Sequence, residues 1–183
     1  MSYELQVYAL SPVRPTPREI LARIGESGLS TELRDAPGAA ARQDDASWTK
    51  LLLAAGEERG GFLVEDSPEL ERMTNQFRED REAGESIPGE VFDARRLYVL
   101  ELDDEQSGEQ HQAAFVVAAW ALAGLTDGLV FDPQEEFFAD ADSFWSILMD
   151  EAMGDEEGLE PDDEEDDSPE DGDGTPSAGQ EVS

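Results

Sequence analysis

The sequence has no cysteine, a single histidine and a single lysine among 183 residues. Without cysteine there is no disulfide, no thiolate zinc site, no iron–sulfur cluster and no cysteine nucleophile. One histidine cannot build an imidazole-rich transition-metal centre. His111 stands between Gln110 and Gln112, at what reads as the first turn of a helix. No G-x-S-x-G elbow accompanies it, so it is read as a surface or capping residue and not as the base of a catalytic triad. Neither phosphate-loop pattern, G-x-x-x-x-G-K-[ST] or G-x-G-x-x-G, occurs. Long apolar runs are missing too. The longest, residues 113–125, falls short of the roughly 18 residues that span a bilayer. The opening MSYELQVYALSPVR lacks the basic and apolar regions of a signal peptide, so a soluble cytoplasmic protein is expected.

Positive charge is scarce. Twelve Lys and Arg face 46 Asp and Glu, for a formal net charge of -34. Phosphate contacts need Lys or Arg, so nucleic acid and anionic membranes are not expected as partners. A basic protein partner, or an atmosphere of cations, is favoured. The preference for Arg over Lys fits high-GC coding and also fits adaptation to high salt, hence a bacterial or halophilic origin. On the salt reading the acidity has no dedicated partner.

The acids are unevenly placed. Residues 151–183 hold fifteen carboxylates and no base. Like charge at that density, with few apolar anchors, predicts a disordered acidic tail, serving as a solubilising appendage or as a lure for a basic partner. Residues 1–150 retain 31 acids against 12 bases and are long enough for one domain with its own core.

Within that domain, residues 3–9 alternate as a strand, with Tyr3, Leu5, Val7 and Ala9 on one face. Thr16-Pro17-Arg18-Glu19 is a capping box that opens a helix ended by Gly28. A strand at 29–34 follows, then a loop, then a hairpin of 48–54 with 62–65. Ser67-Pro68-Glu69 starts a second helix with the stripe Leu70, Met73 and Phe77. Residues 97–103 form a strand and 108–124 a helix apolar on all sides, hence buried on more than one face. A strand at 129–131 turns back through Asp132-Pro133 to Phe137 and Phe138. Asp142 or Ser143 then caps a last helix bearing Phe144, Trp145 and Leu148. The expected fold is α+β: a two-layer sandwich with helices on one face of a mostly antiparallel sheet, ferredoxin-like or an extended variant.

Asp132, Glu135, Glu136, Asp140 and Asp142 crowd into eleven residues. Such carboxylates suit Mg²⁺ or Ca²⁺ through oxygen, but the EF-hand pattern is not matched. Asp-Pro at a strand end has a simpler role as a turn. No residue is therefore assigned to catalysis, to a cofactor or to a metal. Glu135, Glu136, Asp140 and Asp142 are the candidates for contact with a partner.

One segment carries a resemblance. Ala119, Leu122, Ala123, Thr126, Gly128, Val130, Asp132, Pro133 and Gln134 are similar to the pattern A-x-x-[LI]-A-x-x-T-x-G-x-[VI]-x-D-P-Q of uncharacterised bacterial α+β proteins, some of them immunity-type. The resemblance covers about one-sixth of the chain and implies a fold fragment rather than an activity. The expectation is a non-enzymatic, protein-binding module acting on a basic partner, without a cofactor and of unassigned oligomeric state. The alternatives are a metal-dependent hydrolase using Asp132 with Glu135 or Asp140, or a salt-adapted protein whose acidity has no dedicated partner.

Overall fold

The structure, a computed structural model, describes residues 2–35, 42–56, 60–103 and 108–154. Seven strands form one sheet in the order β2-β3-β4-β5-β1-β6-β7, with every neighbouring pair antiparallel. In chain order the elements are β1 (Ser2–Ala9), α1 (Pro17–Gly25), β2 (Thr31–Arg34), β3 (Lys50–Ala55), β4 (Phe62–Ser67), α2 (Leu70–Glu82), a 3-10 turn (Gly89–Asp93), β5 (Arg96–Asp103), α3 (Glu109–Thr126), β6 (Leu129–Asp132), β7 (Phe137–Asp140) and α4 (Ala141–Gly154). The sequence places the end of the domain at residue 150, but α4 runs four residues further. The predicted disordered tail lies outside the described residues from 155 onward.

The fold is α+β, as the sequence predicts. With β2, β3, α2, β7 and α4 set aside, the chain reads β-α-β-β-α-β, with its strands in the order β4-β5-β1-β6. That is the split β-α-β arrangement of ferredoxin-like folds, here widened by a β2–β3 hairpin at one edge and by β7 at the other.

The sheet divides the core in two. Leu5, Val7 and Ala9 of β1 share the first face with Leu51, Leu53, Phe62, Val64, Tyr98, Leu100 and Val130. α3 lies over them, flanked by α1 and α4. Its apolar sides all find partners: Phe115 meets Phe62 edge-on at 5.8 Å, and Trp120 meets Trp145 of α4 at 4.6 Å. The small Ala114, Ala118 and Ala121 are fully buried, which allows close approach of the sheet and the flanking helices.

The second face is where the fold departs from expectation. α2 does not join the other helices; Phe77 packs there with Tyr8, Val91 and Leu97. The physical reason lies in the two central strands. Tyr8 and Leu97 are as buried as Val7 and Tyr98 beside them, so β1 and β5 are covered on both sides. A second layer must sit over them, and α2 with the 3-10 turn supplies it.

The start of α2 also differs from the sequence reading. Ser67 does not cap α2; its Oγ accepts the Glu69 N–H at 3.3 Å, and the helix begins at Leu70 with no side-chain cap. α1 is as read: Thr16 accepts the Glu19 N–H at 3.3 Å, and the Glu19 carboxylate accepts the Thr16 N–H at 2.7 Å.

Candidate functional site

The final hairpin is built by its turn. Asp132 Oδ1 accepts the N–H groups of Gln134 (2.8 Å) and Glu135 (3.2 Å), closing the chain on itself just after β6. Asp132 then stands opposite Phe137 as β7 begins. Glu136 adopts a left-handed backbone, φ 54°, in the last turn position. Glu135 and Glu136 are both exposed, but they border different faces. Glu135 and Asp132 rim a depression of about 450 Å³ on the first face, whose walls include Leu5, Val116, Phe137 and Phe144. Glu136 rims a depression of about 330 Å³ on the second face.

Asp140 lies at the other end of β7, about 10 Å away at a strand rise near 3.3 Å per residue. Its Oδ1 accepts the Ser143 N–H at 2.7 Å, so Asp140 is the N-cap of α4. This corrects the assignment of the cap to Asp142 or Ser143. The same backbone hydrogen bond, helped by the Ser143 hydroxyl, holds the Asp140 carboxyl below its ordinary value. Asp142 is exposed in the first turn of α4, where a negative charge is favoured by the helix dipole. Asp140 and Asp142 border a third depression together with Arg23 and Asp127.

The structure thus spreads the four candidates over three depressions: Glu135 with Asp132 on the first face, Glu136 on the second, and Asp140 with Asp142 at the other end of β7. Among the described residues no group of three or more His, Asp or Glu side chains converges to hold a metal ion.

His111 is not a surface residue. It is fully buried, and its backbone N–H donates to the Gly108 carbonyl at 3.0 Å. The sequence holds the signal: His111, Ala114, Ala118 and Leu122 follow helical spacing on one buried face of α3.

The residues that carry the resemblance are structural. The Thr126 hydroxyl donates to the Leu122 carbonyl at 2.7 Å, and the Thr126 carbonyl accepts the N–H groups of Leu10 and Ser11. This ties the end of α3 to the end of β1. Asp127 takes a left-handed conformation as the C-cap, and Gly128 passes against the Tyr8 carbonyl. Val130 is core and Asp132 makes the turn.

A further feature was open to sequence reading and was missed. All twelve bases lie at or before Arg96. β5 beyond its first residue, α3, β6, β7 and α4 therefore come from a stretch without a single cation. In the first part of the chain some acids have cationic partners: Asp66, with its side chain 9% exposed, accepts from both Arg14 and Arg96, and Lys50 pairs with Glu65 across β3 and β4. No family model, no curated protein and no solved structure matches the chain.

Proposed function

We propose that the protein is a non-enzymatic interaction module, of the immunity type that the α3–β6 segment resembles, and that it binds a basic protein partner through Glu135, Glu136, Asp140 and Asp142. The carrying observation is the charge asymmetry. These four exposed carboxylates sit on an edge hairpin and a helix start drawn wholly from the cation-free part of the sequence, whereas several acids earlier in the chain, Asp66 and Glu65 among them, pair with Arg or Lys. Unpaired surface charge of one sign raises the association rate and selects partners of the opposite sign. The edge strand β7 adds a backbone that a partner segment can address.

The test uses synthetic Arg- and Lys-rich decapeptides as probes of the full chain. Replacing the four residues together (Glu135→Gln, Glu136→Gln, Asp140→Asn, Asp142→Asn) weakens the tightest peptide by about tenfold or more at physiological salt. A charge-matched control (Glu71→Gln, Glu79→Gln, Glu82→Gln, Asp93→Asn) leaves it within about threefold, since it removes the same net charge elsewhere. Equal losses in the two variants would reduce the effect to net charge, as the salt-adapted reading requires.

A further inference from the structure

The second-face depression sets three carboxylates around three phenylalanine rings, where the first-face depression has two carboxylates on mixed aliphatic and aromatic walls. Its floor is formed by Phe77, Phe131 and Phe138, and its rim by Asp80, Glu85 and Glu136. The three rings form one cluster: Phe131 stacks on Phe138 at 4.4 Å, and Phe77 meets them edge-on at 5.2 and 5.3 Å. No lining residue carries positive charge. The nearby cations of α2 are engaged elsewhere, with Arg78 and Arg81 lying over the Phe92 ring at 5.5 and 5.6 Å.

This combination selects its occupant by exclusion. An anion is repelled by three carboxylates. A purely apolar group would strip water from those carboxylates and return nothing to them. A strongly hydrated ammonium matches the rim but gains little from the floor. A guanidinium matches both: it is planar, weakly hydrated, stacks on aromatic rings and offers paired N–H donors to carboxylates. We infer that this depression receives an arginine side chain of the basic partner. The inference rests on the partner reading above and adds to it the residue recognised and the place where it docks.

The experiment is an amide chemical-shift titration of the full chain with acetyl-Gly-Arg-Gly-amide. Its counterpart with citrulline, a neutral isostere of arginine, is the control. The arginine peptide is expected to shift the amides of Phe77, Glu85, Glu136 and Phe138 saturably. The double variant Asp80→Asn, Glu85→Gln, which leaves all four residues of the quartet intact, Glu136 on the shared rim included, weakens that binding by about tenfold, as the loss of charged hydrogen bonds demands. Unchanged amide positions away from the depression verify that this variant is folded. Equal binding of the citrulline peptide, indifference to the double variant, or unsaturating shifts spread to distant acids such as Glu4 and Glu101 would each overturn the inference. If those results came while the quartet variant still lost the basic decapeptide, only the arginine pocket would fall; the reverse pattern would remove the partner reading itself.

Discussion

Tyr98 shows how much a single atom can matter in this core. Its ring stacks on Trp48 at 5.6 Å and is fully buried. Among the described residues its hydroxyl has no hydrogen-bond partner. Burial, with Asp66 adding to it, pushes the phenol up to about 12, so the group stays neutral. A buried hydroxyl without a partner costs about 1 kcal/mol or more, so Tyr98→Phe raises stability by about that amount in chemical denaturation. A loss of stability would show that the hydroxyl is bonded. Asp140 works the other way, because its side chain makes a bond that the helix needs. Asp140→Ala lowers stability by about 1 kcal/mol, and Asp140→Asn leaves it nearly unchanged, since Asn also caps. Because the folded carboxyl lies below its ordinary value of 3.8, the stabilisation is present above that value and is lost as pH falls through the lowered one. Denaturation below about pH 4 therefore narrows the gap between Asp140→Ala and the parent chain. The Thr16–Glu19 cap was legible because its geometry is local. The Asp140 cap was not, because Asp140, Asp142 and Ser143 compete within four residues. The choice falls to the place where β7 stops pairing, at Asp140 opposite Leu129.

At the scale of elements, alternation and helical spacing located most of the strands and helices, while their placement depended on contacts far apart in the chain. The stripe Leu70, Met73 and Phe77 says that α2 buries one side, but nothing local says against which face of the sheet. That is decided by Tyr8 and Leu97, which need cover on the side opposite Val7 and Tyr98. The same limit hid His111, whose polar neighbours Gln110 and Gln112 suggest solvent although its own position faces the core. The 3-10 turn at Gly89–Asp93 carries too short a pattern to be read and was not expected. The α3–β6 connection is different, since its small residue has a steric reason. A Cβ on Gly128 would lie 2.8 Å from the Tyr8 carbonyl oxygen and 3.2 Å from the Ala9 Cα, backbone atoms of a central strand that cannot yield. Gly128→Ala is therefore expected to cost about 1–3 kcal/mol, measured as a lowered Tm, by pushing α3 and β6 away from β1.

For the whole molecule, composition had already indicated an acidic body with an acidic C-terminal stretch, and the α+β class followed from the order of elements. The site was less legible. Five carboxylates within eleven residues look like one cluster on paper, but a four-residue strand divides them and a left-handed Glu136 sends two neighbours toward opposite faces. The organising feature is the separation of charge along the chain: every base lies in its first 96 residues, and the last hairpin and α4 lie beyond them. No helix among the described residues is long and apolar enough to cross a membrane. A basic partner is bound here only if this cation-free edge is a recognition surface. Hydrogen–deuterium exchange of the full chain, with and without the tightest basic decapeptide, tests that directly. Slowed exchange concentrated in residues 132–142 is the predicted result; protection confined to residues 151–183, or spread evenly over acid-rich segments, would contradict it.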